Sequence, residues 1–216
     1  MIKALVIGEE SSLIEVKQKL GDNWNLTHLE SIDESTSLEE FDLIIDFVTD
    51  AYPEHYTLYS DLKDTLILFN GVRISLSELK FTFGEASSEI YGFNGLPGFF
   101  NREILEISSV NKSEGGRLRE FGFDFVLVDD RVGLVTPRVI TMIINEAYYT
   151  VQEGTASKKD IDLGMKLGTN YPMGPFEWAE SIGIQEVYET LEAIYEDTRD
   201  ERYKIAPLLK KEYLNQ

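Results

Sequence analysis

The chain has no cysteine and only two histidines, His28 and His55, among its 216 residues. The first absence excludes disulfides and thiolate metal sites. The second leaves too few imidazoles for a histidine-rich centre, so no metal is expected. Basic residues are scarce as well: 20 Lys and Arg stand against 39 Asp and Glu, for a net charge of −19. Most of that imbalance lies in residues 1–130, which hold 25 acidic and 10 basic side chains. Such a surface repels nucleic acid and anionic membranes, so neither is an expected partner. It also disfavours polyanionic cofactors unless a local basic patch exists, and the first half shows little sign of one. Long apolar runs are missing too. The opening MIKALVIG turns polar too soon for a signal peptide or a membrane helix, which makes the cytoplasm the expected location.

The apolar fraction, 43%, is that of a globular protein with a real core, in one large domain or two modest ones. Short apolar runs at Ile2–Ile7, Leu43–Val48, Leu66–Phe69 and Phe125–Val128, with a further strand at Trp24–Leu29, read as buried strands. Amphipathic stretches such as Leu13–Leu20 and Tyr56–Leu62 lie between them. Strands alternating with helices predict a mostly parallel α/β sheet. The character changes near Gly133. Ile140, Ile143, Ile144, Ala147 and Val151 recur at helical spacing and end at Gly154. Ser157 with Asp160 has the pattern of a capping box, and Gly174-Pro175 opens a further helix. Stretches at Gln185–Tyr195 and Pro207–Leu214 complete an all-helical second part.

Several strings carry a family likeness. Asn145-Glu146-Ala147, Glu153-Gly154, KKDIDLGMKLG (158–168) and YPMGPFEWAE (171–180) closely resemble the C-terminal domain of 3-hydroxyacyl-CoA dehydrogenases. Fainter likeness runs backwards through LFNGVRISLSEL (68–79), YGFNGLPGFFNREILEI (91–107) and DDRVGLVTPRVI (129–140). The resemblance implies a trimmed, Rossmann-like doubly wound sheet over residues 1–131 and an all-α domain over residues 132–216. It also implies a homodimer formed through the helical domain, NAD as cofactor, and an acyl-CoA or related small molecule as ligand. The family reaction is NAD-dependent oxidation of a 3-hydroxyacyl-CoA to the 3-oxoacyl-CoA.

The residues that this chemistry needs are only partly present. A dinucleotide turn reads G-x-G-x-x-G, so that a pyrophosphate can approach the helix N-terminus. Here the segment is Gly8-Glu9-Glu10-Ser11-Ser12-Leu13, in which only Gly8 remains and a carboxylate replaces the second glycine. Two unit charges about 4 Å apart repel by about 4 kcal/mol at an effective dielectric near 20. Glu9 and Glu10 instead suit the positive end of the helix in place of a phosphate. Glu30, 22 residues after Gly8, stands where an acidic residue holds the adenine ribose. The third strand then begins within about a dozen residues, without the family's longer helical excursion.

The family's base is a histidine oriented by a glutamate. By the resemblance Glu106 takes the glutamate position and Asn94 the histidine position, and a carboxamide cannot act as a general base. Val72-Arg73 falls on the family's serine pair, and Pro137 on a polar asparagine. His55, in PEHYTLY, reads as a helix-surface residue and His28 as an alternating strand residue. No G-x-S-x-G, P-loop or metal-ligand cluster offers a replacement chemistry. The expectation is a 3-hydroxyacyl-CoA dehydrogenase-like protein with impaired or lost catalysis and NAD binding. Two alternatives stand beside it: a non-catalytic dimeric scaffold for an acyl ligand or an active paralogue, and an active enzyme using Glu106 or His55 through water.

Overall fold

Alternating side chains of the first strands divide between two apolar layers, one on each face of a single sheet. In the computed structural model, which describes residues 2–110 and 115–216, β1 (Ile2–Ile7) sends Ala4 and Val6 to one face and Leu5 and Ile7 to the other. β3 (Leu43–Asp46) and β4 (Leu66–Asn70) are buried along their whole length, which is why their sequences are unbroken apolar runs rather than alternating ones. One layer is closed by α1 (Glu10–Leu20) through Leu13 and Val16. The other is closed by α2 (His55–Tyr59) and α3 (Leu76–Phe83) through Tyr56, Tyr59, Leu76 and Leu79. Helices on both faces of the sheet make the unit doubly wound.

The remaining strands are β2 (Trp24–Leu29), β5 (Glu89–Phe93), β6 (Leu105–Ser108) and β7 (Phe125–Val128), with the short α4 (Gly116–Glu120) before the last. The sheet order is β2-β1-β3-β4-β5-β6-β7, parallel throughout except between β5 and β6. The usual dinucleotide-binding order has a further strand outside β2. Here the chain returns from β2 to β3, beside β1, with no helix between them. That return is the trimming expected from sequence, and it leaves the topological switch point between β1 and β3.

Two boundaries differ from the sequence reading for local reasons. β3 stops at Asp46 rather than Val48, because the Asp46 carboxylate accepts the Val48 N–H at 2.8 Å and turns the backbone out of the ladder. β5 and β6 had no strand signal: each is short, and Gly92 interrupts the first. Their pairing explains the glycine, since a Cβ at Gly92 would lie 2.3 Å from Ser108 Oγ on the facing strand.

The chain divides into two compact units between Leu134 and Val135. The second unit is helical: α5 (Thr136–Gln152), α6 (Lys158–Thr169), α7 (Pro175–Ile182), α8 (Ile184–Thr198) and α9 (Pro207–Tyr213). Ser157 caps α6 by accepting the Asp160 N–H at 3.2 Å. Asn145, buried in α5, donates to the Lys204 carbonyl at 2.9 Å and accepts from the Ala206 N–H at 2.8 Å, tying the entry of α9 to α5. The glycine of the YPMGP string is a close-approach position. A Cβ at Gly174 would lie 2.2 Å from the Asp162 carboxylate, which accepts the Phe176 N–H at 2.8 Å.

Candidate functional site at the carboxyl edge of the sheet

Open α/β sheets take ligands outside the carboxyl ends of their parallel strands, beside the switch point. In this unit that edge carries Gly8 after β1, Glu30 after β2, Asp46 at the end of β3, Asn70 at the end of β4 and Asn94 after β5. Gly8 is in a positive-φ conformation (φ 142°), and its N–H donates to the Leu29 carbonyl at 3.0 Å. α1 begins at Glu10, with Glu9 as an N-cap whose side chain makes no capping bond. His28 reaches into this turn. Its Nε2 lies 2.8 Å from the Gly8 carbonyl oxygen and its Nδ1 lies 3.7 Å from the Glu10 carboxylate. Glu30 is exposed just past β2.

Asn94 and Glu106 are brought together by the β5–β6 pairing. The Asn94 N–H donates to the Glu106 carbonyl at 3.3 Å, and both residues are buried. The Asn94 carboxamide oxygen accepts the Leu96 N–H at 3.2 Å, closing the turn after β5. Val72 is buried, and Arg73 donates from Nε to Asp50 at 2.7 Å. Pro137 lies in the first turn of α5.

Asn70 is a residue that the sequence reading passed over. Its Nδ2 donates to the Phe47 carbonyl at 3.2 Å and to Asp50 at 3.0 Å, while its Oδ1 accepts from the Val72 and Gly95 N–H groups. One carboxamide thus joins the loops after β3, β4 and β5. The Asn-Gly pair at the end of an apolar run was the available signal.

His55 is placed differently from the helix-surface position expected. It is buried, its Nδ1 lies 2.8 Å from Asp46 Oδ2, and Tyr52 stacks on its ring at 5.7 Å between centroids. Asp46 is fully buried and also accepts the Tyr59 hydroxyl at 2.6 Å. Burial, and then the charge of Asp46, hold the Tyr59 hydroxyl well above its ordinary range. Among the described residues no group of three or more His, Asp or Glu could hold a metal ion.

The second unit has an apolar cleft of about 400 Å³ lined by Val139, Ile143, Met165, Tyr171, Met173 and Trp178. α6 has no buried residue, although it carries Leu163 and Leu167, which are 50% and 78% exposed. No helix among the described residues is long and apolar enough to cross a membrane.

Residues 133–215 match the model of the 3-hydroxyacyl-CoA dehydrogenase C-terminal domain. This segment is a domain of the 3-hydroxyacyl-CoA dehydrogenase C-terminal type. Over more of its length the chain is similar to 3-hydroxybutyryl-CoA dehydrogenase of Clostridioides difficile, 28% identical over 197 residues, covering 86% of this chain and 70% of that one. Similarity to 3-hydroxyadipyl-CoA dehydrogenase of Escherichia coli (strain K12) is higher, at 38%, but spans 97 residues, 45% of this chain and 20% of the relative. Probable 3-hydroxybutyryl-CoA dehydrogenase of Bacillus subtilis (strain 168) is 41% identical over 43% of this chain and 32% of its own length. The chain therefore spans a third or less of these last two relatives. Among solved structures, (S)-3-hydroxybutyryl-CoA dehydrogenase PaaH1 from Ralstonia eutropha superposes with a TM-score of 0.73 at 21% identity, over 97% of this chain and 92% of that one. That likeness establishes the shared fold.

Proposed function

We propose that this family member has given up NAD-linked hydride transfer and acts as a dimeric binding protein for an acyl ligand. The observation that carries this reading is the contact set at the turn after β1. The Glu10 carboxylate belongs to the residue at the second glycine position of the family turn, and His28 bonds the carbonyl of the first glycine. These residues do not fit a pyrophosphate. A carboxylate about 4 Å from a phosphate costs about 4 kcal/mol, roughly a thousandfold in affinity, and no lysine or arginine bonds this turn among the described residues to offset it. The carboxamide of Asn94 at the base position agrees with it, since its oxygen is committed to the backbone and it has no proton to exchange near neutral pH.

The dimer is supported by α6. A helix with an apolar stripe and no buried residue needs a cover, and a second copy of this chain provides one. The adjacent cleft is of the size and apolarity suited to an aliphatic chain.

The decisive experiment titrates the purified protein with NADH by nicotinamide fluorescence and assays 3-hydroxybutyryl-CoA oxidation with NAD. No saturable fluorescence change and no turnover are expected. Saturable binding with robust turnover would overturn the reading and favour an active enzyme.

A further inference from the structure

Beyond that reading, the carboxyl edge of β3 carries a histidine in a defined protonation geometry. Asp46 is fully buried and accepts three donors: the Val48 N–H, the Tyr59 hydroxyl and the His55 ring. With the Asp46 carboxylate accepting the Val48 N–H and the Tyr59 hydroxyl, we assign the hydrogen of the His55 contact to Nδ1. Whenever the ring is neutral, its lone pair is then on Nε2. Among the described residues no group bonds that nitrogen, and it is not sealed from solvent. A carboxylate holding one imidazole nitrogen so that the other can accept a proton is the arrangement of a general base.

The location suits that role. Asp46 pairs in register with Ile7 of β1 and Phe69 of β4, which places the dyad beside the β1/β3 switch point. The same loop holds the Thr49 hydroxyl, 1% exposed and without a hydrogen-bond partner, an unusual state for a buried polar group unless a ligand completes it. Tyr52, half exposed, stacks on the imidazole and offers a flat apolar surface at its rim.

We propose that His55 is a proton-accepting site, with Asp46 as its positioning residue, which activates water against a small neutral acyl ester without any cofactor. Nε2 takes a proton from water as the water oxygen bonds to the acyl carbon. The bond from that carbon to the alcohol oxygen breaks, and the imidazolium returns the proton to the departing oxygen. A carboxylic acid and an alcohol leave. The neutral class follows from the charge of residues 1–130, 25 acidic against 10 basic, which repels anionic substrates.

Two readouts on the full chain test this. Nitrogen-15 NMR of the imidazoles, assigned with the His28→Gln variant, should show the neutral form of His55 with its proton on Nδ1. In Asp46→Asn that tautomer should give way to a mixture. Hydrolysis of p-nitrophenyl acetate should fall about tenfold in both His55→Gln and Asp46→Asn, less than the roughly 100-fold a positioned base contributes on its own substrate. Far-ultraviolet circular dichroism checks that the variants fold. A proton on Nε2 in the wild-type protein overturns the proposal, and so does ester turnover that is unchanged in a folded His55→Gln variant. If neither variant folds, the wild-type tautomer alone decides.

Discussion

The Nε2 of His28 lies 2.8 Å from the carbonyl oxygen of Gly8, so the end of β2 is tied directly to the turn after β1. A carbonyl only accepts, which makes Nε2 the donor. The other ring nitrogen then faces the Glu10 carboxylate at 3.7 Å. A turn that in a dinucleotide-binding sheet is kept open for phosphate is here bonded to the protein's own side chain.

If the carboxylates at this turn are what oppose NAD, removing them should restore some affinity. The Glu9→Gln/Glu10→Gln variant is expected to show measurable NADH binding by isothermal titration where the wild-type protein shows none. The gain is bounded by the roughly 4 kcal/mol of one close charge pair. An unchanged, null titration would move the cause away from the turn.

The stripe on α6 makes a separate expectation. Leu163→Glu and Leu167→Glu together should convert a dimer into a monomer in light scattering, with helical content retained because neither side chain is buried within its own chain. Retention of the dimer would place the interface elsewhere.

Asn145 should be costly to change. Its carboxamide bonds the Lys204 carbonyl and the Ala206 N–H inside the helical unit, so Asn145→Ala strands the buried Ala206 N–H and takes one of two donors from the part-buried Lys204 carbonyl. A loss of about 1–3 kcal/mol is expected in urea unfolding. Asn145→Asp should recover part of it, because the acceptor half of the contact survives.

Glu177 sets a pH dependence. Its carboxyl is held below the usual 4.5, chiefly by the hydrogen bond from Lys166 and then by that from the Gly174 N–H. A carboxyl depressed in the folded state contributes stability that is present above its unfolded pKa and is lost as pH falls through the folded value. Glu177→Gln should therefore unfold at a lower temperature than wild type near pH 7. The gap should narrow below about pH 4.5, and a constant gap across that range would show that ionisation of Glu177 plays no part.

Local pattern encoded much of this protein. The apolar runs 4–7 in β1, 43–45 in β3 and 66–69 in β4 announce strands buried on both faces because no polar residue interrupts them. Ser157, Gly174 and Pro175 mark helix starts by capping chemistry that acts within three or four residues. The departure from the glycine turn is likewise a matter of consecutive residues, and so it was readable without coordinates. What tertiary structure alone decided lies in contacts between elements. His55 reads as a surface residue beside Pro53 and Glu54, yet the sheet presents the Asp46 carboxylate nine positions earlier, and the imidazole is buried against it. β5 and β6 are too short to show a period, and it is their antiparallel pairing that sets Asn94 against Glu106. Asn70 gains its role from three loops that converge only once β3, β4 and β5 are in register. Capping and periodicity are short-range and leave a trace in adjacent residues. A buried polar contact across strands leaves none until the backbone brings its partners together.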